Sequence, residues 1–233
     1  MKPARQVVKP TTHRSVGIVN VSWLQPDGIP HESELEAAFV RHAILCSAVS
    51  RIHSQPFKLE WVGADGSGGQ YVPDYLIVLS DRSKVVVEVR PARFVGKDRV
   101  KFQAAATQLA TKGLDYFVVT DDQLTEAKQC AGRLILRSAR GEMPDDLAGR
   151  AVNVIRDAGR GGLTLESAIA TGIPLVVWHF LVGRRRLVAD SGVDLQPSSR
   201  LFDVQNWPGV NEREHLQFER WFGCQAWRPD SGI

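Results

Sequence analysis

Along the first 140 residues, the spacing of apolar positions switches between the period of strands and the period of helices. Loose alternation over 16–23 and an apolar run over 57–62 predict strands. Helical spacing connects the residues Leu35, Phe39, Ala43, Cys46 and Val49. Ser33 precedes them with Glu36 three residues later, which is the spacing of a capping box, so an amphipathic helix of about 17 residues is predicted to begin there.

The strongest strand pattern is a pair of apolar runs, at 71–79 and 84–90, separated by a short polar turn. The pair predicts a β-hairpin. Each strand carries one carboxylate among apolar neighbours, Asp74 in the first and Glu88 in the second. Because an acid is costly to bury alone, both are expected to have a partner such as a metal ion or a cationic side chain.

Helical spacing returns over 100–112 and stops at Gly113, and the apolar run 115–120 predicts a strand before a short polar helix from Asp121. A strand, a crossing helix and another strand form a βαβ unit, which implies a mixed sheet with helices packed on it. Residues 16–140 are therefore predicted to form an α/β domain.

The second half of the chain has a different pattern. A change of composition at 141–145 predicts a linker. Three short helical patterns follow, at 146–158, 164–171 and 174–182. A basic strand over 184–190 then leads through a Ser-Gly turn to a return near Leu201. Three helices followed by a hairpin predict a winged helix over 141–206.

Both ends of the chain lie outside these two predicted domains. Residues 1–15 are basic and polar, and we expect a mobile arm there. Residues 207–233 form a tail that carries Trp207, Trp221 and Trp227. We expect this tail to pack on its own domain in preference to serving as a peptide that binds a partner.

The composition is that of a soluble protein, with 43% hydrophobic and 24% charged residues among 233. The formal net charge of +3 says little, but between Arg82 and Lys112 eight basic residues stand against two acids. This excess suits a polyanion near the strand-borne acids, although a solvated helix face would explain any one cation equally well. Three scattered cysteines indicate neither zinc nor a disulfide framework, and without a membrane-length apolar run a cytoplasmic location is expected.

The two strand-borne acids suggest metal-dependent cleavage of a phosphodiester. Mg²⁺ prefers oxygen ligands and keeps several waters, so two or three carboxylates suffice. Asp74, Glu88 and the carbonyl of Val89 are the candidate ligands. Arg90 follows two residues after Glu88 and is predicted to face the same side of the strand, where it can bind a phosphate. It is a poor general base because arginine keeps its proton.

Five segments follow one another between residues 30 and 125. They are Ser33-Glu34-Leu35-Glu36, Gln55-Pro56-Phe57, Tyr71-Val72-Pro73-Asp74-Tyr75-Leu76, Val87-Glu88-Val89-Arg90-Pro91-Ala92 and Tyr116-Phe117-Val118-Val119-Thr120-Asp121-Asp122-Gln123-Leu124. In this order they resemble TnsA, the endonuclease subunit of heteromeric transposases and a member of the PD-(D/E)xK nucleases. The resemblance implies a restriction-endonuclease-like mixed sheet with flanking helices, followed by a small C-terminal winged-helix domain.

The resemblance also implies an activity and partners. A protein of this family nicks double-stranded DNA at the 5′ ends of a transposon with Mg²⁺, for which Mn²⁺ can substitute. A DDE-type transposase cuts the 3′ ends, and an AAA+ regulator is a further candidate partner. The acids of the family's active site correspond to Glu36 and Asp74, its lysine to Arg90, and the polar residue two before that lysine to Glu88. Spacing alone favours a capping role for Glu36, whereas the resemblance favours a metal ligand.

Six cations are candidate contacts to DNA. They are Arg93, Lys97, Lys101, Arg184, Arg185 and Arg186. For Lys97 and Lys101, a surface or phosphate-contacting role is favoured over service as the missing lysine. The three consecutive arginines would equally suit a solvated turn or a surface that docks the transposase.

Arg90 leaves the activity open. If the reaction needs only a positive charge at this position, the chain is a DNA endonuclease. If it needs a base, the chain is a weak or inactive nuclease fold that bridges DNA and transposase as an assembly protein. A nuclease of restriction or repair, outside transposition, is a third interpretation.

Overall fold

The computed structural model describes residues 15–63, 66–207 and 214–228. Its helices are α1 (Glu34–Leu45), α2 (Ala92–Val95), α3 (Arg99–Ala110), α4 (Glu126–Arg140), α5 (Asp145–Asp157), α6 (Leu165–Ala170), α7 (Leu175–Gly183) and α8 (Glu214–Phe222). Its strands are β1 (Gly17–Val19), β2 (Ile29–His31), β3 (Val49–Ser54), β4 (Leu59–Val62), β5 (Gly68–Tyr71), β6 (Tyr75–Leu79), β7 (Lys84–Val89), β8 (Asp115–Val119), β9 (Leu163–Thr164), β10 (Leu187–Ala189) and β11 (Arg200–Asp203). The predicted N-terminal arm lies outside the described residues except for Ser15.

The chain divides into two compact units. Unit 1 comprises 1–40, 48–125 and 214–233, and unit 2 comprises 41–47 and 126–213. These limits differ from the predicted domains. The boundary falls before α4 instead of after it, because α4 packs against α7 of unit 2. The segment containing α8 belongs to unit 1.

Unit 1 is built on a four-stranded mixed sheet in the order β3–β6–β7–β8. The first two pairs are antiparallel and β7 runs parallel to β8. Helix α3 makes the connection between the two parallel strands, as the βαβ pattern predicts, and buries Phe102, Ala105 and Leu109 against Tyr116 and Val86. The predicted α/β fold with a mixed sheet is therefore confirmed.

The limits of one predicted strand and one predicted helix were wrong. The run 71–79 is not one strand, because Tyr71 closes β5, which pairs with β4, and Tyr75 opens β6. Pro73 lies at the break, where its missing N–H cannot serve a ladder. The helix predicted to begin at Ser33 ends at Leu45, and Val49 begins β3 instead of extending the helix. The register of β3 is irregular between Val49 and Arg51, so its apolar and polar residues do not alternate regularly.

The C-terminal helix contributes to the core of unit 1. Phe218 and Phe222 of α8 are buried. Their rings lie 5.3 Å from Phe117 and 5.1 Å from Phe39, between ring centroids. Farther on, Trp227 donates a hydrogen bond from its indole nitrogen to Gln103 at 2.8 Å. The tryptophan-bearing tail is thus partly a structural element of unit 1.

Unit 2 contains helices α4 to α7 and a small antiparallel sheet in the order β10–β11–β9. Trp178 and Leu181 of α7 are completely buried. Gly183, at the end of α7, approaches α4 so closely that an added Cβ would lie 2.5 Å from the Cβ of Ala139. Within the described part of the chain, no helix is long and apolar enough to cross a membrane.

Candidate functional site

Asp74, which immediately precedes β6, and Glu88, on the neighbouring strand β7, lie side by side. The register pairs Tyr75 of β6 with Val87 of β7, which sets Asp74 opposite Glu88. The backbone N–H of Val89 donates to Asp74 Oδ2 at 2.8 Å and holds that carboxylate at the strand end. Both acids line a cavity of about 400 Å³, together with Val89, Arg90 and Glu36.

Asp74 is in an environment that disfavours its negative charge. Burial raises its pKa well above the usual range, and the nearby carboxylates of Glu88 and Glu36 raise it further. The hydrogen bond from Val89 and the charge of Lys101 oppose this shift only in part. A cation placed between these acids would remove the conflict.

Glu88 is held by partners on two sides. The hydroxyl of Tyr71 donates to Glu88 Oε2 at 2.5 Å, and the hydroxyl of Tyr116 lies 2.8 Å from that of Tyr71. On the other oxygen, Oε1, the ammonium group of Lys101 lies at 3.8 Å. Burial raises the pKa of Glu88, while the Tyr71 hydrogen bond and the Lys101 charge lower it. The expectation of a cationic partner is therefore met at Glu88.

Glu36 lines the cavity and also makes hydrogen bonds at the start of α1. Its Oε1 accepts from the Ser33 hydroxyl at 3.1 Å, and its own N–H donates to that hydroxyl at 3.1 Å. The N-cap role predicted for Ser33 is therefore confirmed, and the Glu36 side chain bonds back to this cap through the Ser33 hydroxyl. Oε2 also accepts the N–H of Glu32 at 2.7 Å. Burial raises the pKa of Glu36, which is the same direction as for the two strand-borne acids.

The three acids share the cavity without forming a ready-made metal cage. Among residues 15–63, 66–207 and 214–228, no three His, Cys, Asp or Glu side chains are grouped closely enough to hold a metal ion. Two carboxylates and a carbonyl nevertheless suffice for Mg²⁺, which usually keeps several of its waters. Asp74, Glu88 and the carbonyl of Val89 are suitably hard oxygen donors, and the crowding of negative charge at Asp74 fits a cation site.

Arg90 is fixed beside the cavity by an acid that sequence reasoning missed. Its Nη2 lies 2.6 Å from Asp98 Oδ2, in the loop before α3. The ammonium group of Lys101 is 4.0 Å from the same oxygen. Asp98 thus links the two cations of the site. Arg90 keeps about a third of its side chain exposed, at 36%, and so retains access to a ligand.

The six predicted DNA contacts have different environments. Arg93 and Lys97 are exposed, whereas Lys101 is only 22% exposed and faces Glu88. Arg184 donates from Nε to the carbonyl of Ala139 at 2.7 Å. Arg185 donates from Nε to the carbonyl of Ile44 at 2.6 Å. Arg186 has an exposed side chain.

Sequence reasoning overlooked Tyr71, Tyr116 and Asp98 as members of the site. Tyr71 and Tyr116 looked like ordinary apolar positions of strands, and nothing in strand alternation reveals that their hydroxyls meet beside Glu88. The sequence did contain an indication of the role of Asp98, because it is one of only two acids in a strongly basic stretch and could be expected to pair with a cation there.

A comparison with protein families finds a match to the family described as TnsA-like endonuclease N terminal, over residues 46–121. This segment contains Asp74, Glu88, Arg90 and Lys101, whereas Glu36 precedes it. A comparison with curated proteins gives no match. The resemblance deduced from the ordered sequence motifs is therefore confirmed over residues 46–121, which are similar to the N-terminal domain of TnsA-like endonucleases.

Proposed function

We propose that this chain is the DNA endonuclease subunit of a transposase. It would cleave phosphodiester bonds at the 5′ ends of a transposon, with Mg²⁺, alongside a DDE-type transposase. The observation that carries the proposal is the pair Asp74 and Glu88, which line one cavity together with Arg90. All three residues lie in the segment that matches a TnsA-like endonuclease.

Asp74, Glu88 and the carbonyl of Val89 would hold the metal ion. Mn²⁺ would substitute for Mg²⁺, since both accept oxygen ligands. When bound, the ion would supply an activated water and offset charge on the phosphate. Glu36 would add a third carboxylate if it released Ser33 and Glu32. Its contribution to the raised pKa of Asp74 supports this role, because it places the two negative charges close together.

The remaining residues would orient and neutralise the site. Tyr71 and Lys101 would keep the Glu88 carboxylate in place from opposite sides. Arg90 would bind the scissile phosphate, because it borders the cavity and keeps part of its guanidinium exposed. Since arginine does not release its proton, its contribution would be electrostatic.

Unit 2 would supply further contacts as a winged helix. Its element order is helix α5, strand β9, helices α6 and α7, and then the hairpin β10–β11, with β9 beside β11. This arrangement supports the predicted winged-helix fold. Arg186 would be its cation for DNA or for the transposase, since Arg184 and Arg185 bond to carbonyls of their own unit.

The test is nicking of a transposon-end duplex in the presence of Mg²⁺ and the partner transposase. Wild-type protein should nick the 5′ end, and Asp74→Ala should abolish nicking while leaving duplex binding in place. Nicking at an unchanged rate by Asp74→Ala would remove the assignment of the site.

A second candidate function is a nuclease fold that has lost its activity and serves as an assembly protein. Arg90 favours it, because this residue is paired with Asp98 at 2.6 Å and stands where the motif has a lysine. The variant Arg90→Lys separates the two functions. A gain of nicking indicates a decayed site, whereas a loss indicates a site adapted to arginine. The AAA+ regulator and the cytoplasmic location remain predictions.

A further inference from the structure

Phe94 is an exposed aromatic residue with two cations on its ring. It lies on the short helix α2, none of whose residues is buried, and 38% of it is exposed. One exposed phenylalanine is common and needs no explanation. Here, however, the Cζ atom of Arg93 lies 4.8 Å and that of Arg90 5.4 Å from the ring centroid. We name these three side chains the Phe94 cluster.

The Phe94 cluster adjoins the cavity of the two acids. Arg90 belongs to both, because it lines the cavity and also covers the ring. The position of α2 is fixed by the N–H of Ala92, which donates to Asp121 Oδ1 at 2.7 Å. A ligand that extends from the cavity past Arg90 would therefore reach Phe94, and a base that stacks on the ring would take the place of one of the two guanidinium groups.

The charge around the cluster indicates the class of ligand. Arg93, Lys97 and Arg99 are exposed. Of the two acids nearby, Asp98 is 18% exposed and paired with Arg90, and Asp121 accepts the N–H of Ala92 at the start of α2. Cations suit the phosphates of a nucleic acid, and an aromatic ring suits the face of a base. In an intact duplex the faces of the bases are covered by their neighbours, so a side chain can stack only on a base that has left the helix or lies at an end.

We propose that Phe94 is a stacking platform for an unpaired base next to the phosphate that is cut. The inference rests on the proposed endonuclease function and adds to it a preference for DNA that is locally opened at the cleavage site. Arg93 would contact the phosphate of the same nucleotide, while Arg90 would remain at the cavity.

The test compares two duplexes of equal length without divalent ions, so that cleavage does not intervene. Both carry 2-aminopurine at the same position, and they differ only in the base opposite it, which is paired in one duplex and mismatched in the other. The fluorescence of 2-aminopurine is quenched when it stacks. Wild-type protein should bind the mismatched duplex about tenfold more tightly, since one stacked base is worth roughly that much, and should quench the probe. Phe94→Ala should lose both effects and bind the paired duplex as before.

Two controls separate stacking from folding and from general contact. Phe94→Tyr keeps an aromatic face and should retain the preference and the quenching. Val100→Ala changes another exposed apolar side chain, 41% exposed on α3, and should leave both unchanged. Because Phe94 is on a helix without buried residues, its variants should keep the wild-type circular dichroism.

The outcomes distinguish this inference from the proposed function. If wild-type protein binds neither duplex, the proposed nuclease function fails and stacking fails with it. If it binds both duplexes equally, or if Phe94→Ala weakens both by the same factor, only the stacking platform is overturned. A Phe94→Ala variant that keeps its preference for the mismatched duplex would also overturn it.

Discussion

The ammonium group of Lys101 lies 3.8 Å from Glu88 Oε1 and 4.9 Å from the ring centroid of Tyr71. Lys101 comes from helix α3, whereas Glu88 and Tyr71 come from two strands of the same unit. The positive charge nearest to this buried acid is therefore supplied by a helix. Arg90, which occupies the lysine position of the motif, pairs with Asp98 instead.

Replacing Lys101 should impair the chemical step more than DNA binding. We predict that Lys101→Met lowers the single-turnover rate of nicking about 10²-fold at saturating DNA, as expected when a fixed charge at a reaction centre is lost. Lys97→Met is the matched control, because Lys97 is an exposed lysine in the preceding loop, and it should affect only affinity. An unchanged rate combined with weaker DNA binding by Lys101→Met would show that Lys101 is a phosphate contact.

The crowded acids should make the metal-free protein less stable as pH rises. Burial raises the pKa of Asp74 above its value in the unfolded chain, so the folded state binds the extra proton. The stabilisation is fully present below the unfolded pKa and is lost as pH rises through the folded one. We predict that Asp74→Asn raises the free energy of unfolding at neutral pH by about 1 kcal/mol, and that this gain disappears in acid.

Thermal unfolding of the metal-free protein over a range of pH would measure this effect. Asp81→Asn is the control, because Asp81 is exposed and its pKa is lowered by hydrogen bonds from Ser83. That variant should give no gain in stability at neutral pH. A wild-type protein whose advantage over Asp74→Asn grows with pH would contradict the charge conflict at the site.

Glu36 can be tested as a ligand without disturbing its helix. Glutamine also completes a capping box, so Glu36→Gln should keep the melting temperature while removing a carboxylate. We predict about tenfold weaker Mn²⁺ binding by calorimetry, in the range found when a supporting group of a metal site is lost. Glu36→Ala should also lose the hydrogen bonds that the carboxylate accepts from Ser33 and Glu32, at a cost of about 1 kcal/mol. Unchanged Mn²⁺ affinity in Glu36→Gln would leave Glu36 with the capping role alone.

The sequence pattern predicted the strands of the sheet most accurately where most of the strand residues are apolar. β7 and β8 coincide with apolar runs, and their pairing follows from the helix between them. β3 was missed because Ser50, Arg51 and His53 dilute its two apolar residues and its register is irregular. The β6 boundary was misplaced because apolar residues continue through Pro73 into β5, which belongs to another ladder.

The candidate site was predictable only as far as its residues lie on adjacent strands. Asp74 and Glu88 are brought together by a hairpin, which sequence spacing reveals. The approach of Lys101 to Glu88 depends on how α3 packs over the sheet, and that packing is decided by buried residues such as Phe102 and Leu109. No local pattern could have shown that Arg185 turns away from solvent, since three consecutive arginines look alike in sequence.

Arg185 ties the end of α1 to the rest of unit 2. Its Nε donates to the carbonyl of Ile44 at 2.6 Å, and Nη2 contacts both that oxygen and the carbonyl of Ala43. These are among the last carbonyls of α1, where the helix dipole favours a cation. Burial lowers the pKa of Arg185 to about 10, so the guanidinium stays charged at neutral pH. We predict that Arg185→Ala lowers the free energy of unfolding by roughly 2 kcal/mol, as expected for a charged hydrogen bond.

Neighbouring variants separate this structural role from DNA binding. Arg186 is exposed, so Arg186→Ala should change stability by less than about 0.5 kcal/mol. If Arg186 contacts a phosphate, the same variant should reduce the salt dependence of DNA affinity by about one charge.

Arg185 also has a positive φ of 57°, so Arg185→Gly should be about 1 kcal/mol less destabilised than Arg185→Ala, because glycine relieves the backbone strain. Chemical denaturation would give these free energies. Equal stability of Arg185→Ala and Arg186→Ala would contradict the role of Arg185 as a cap on α1.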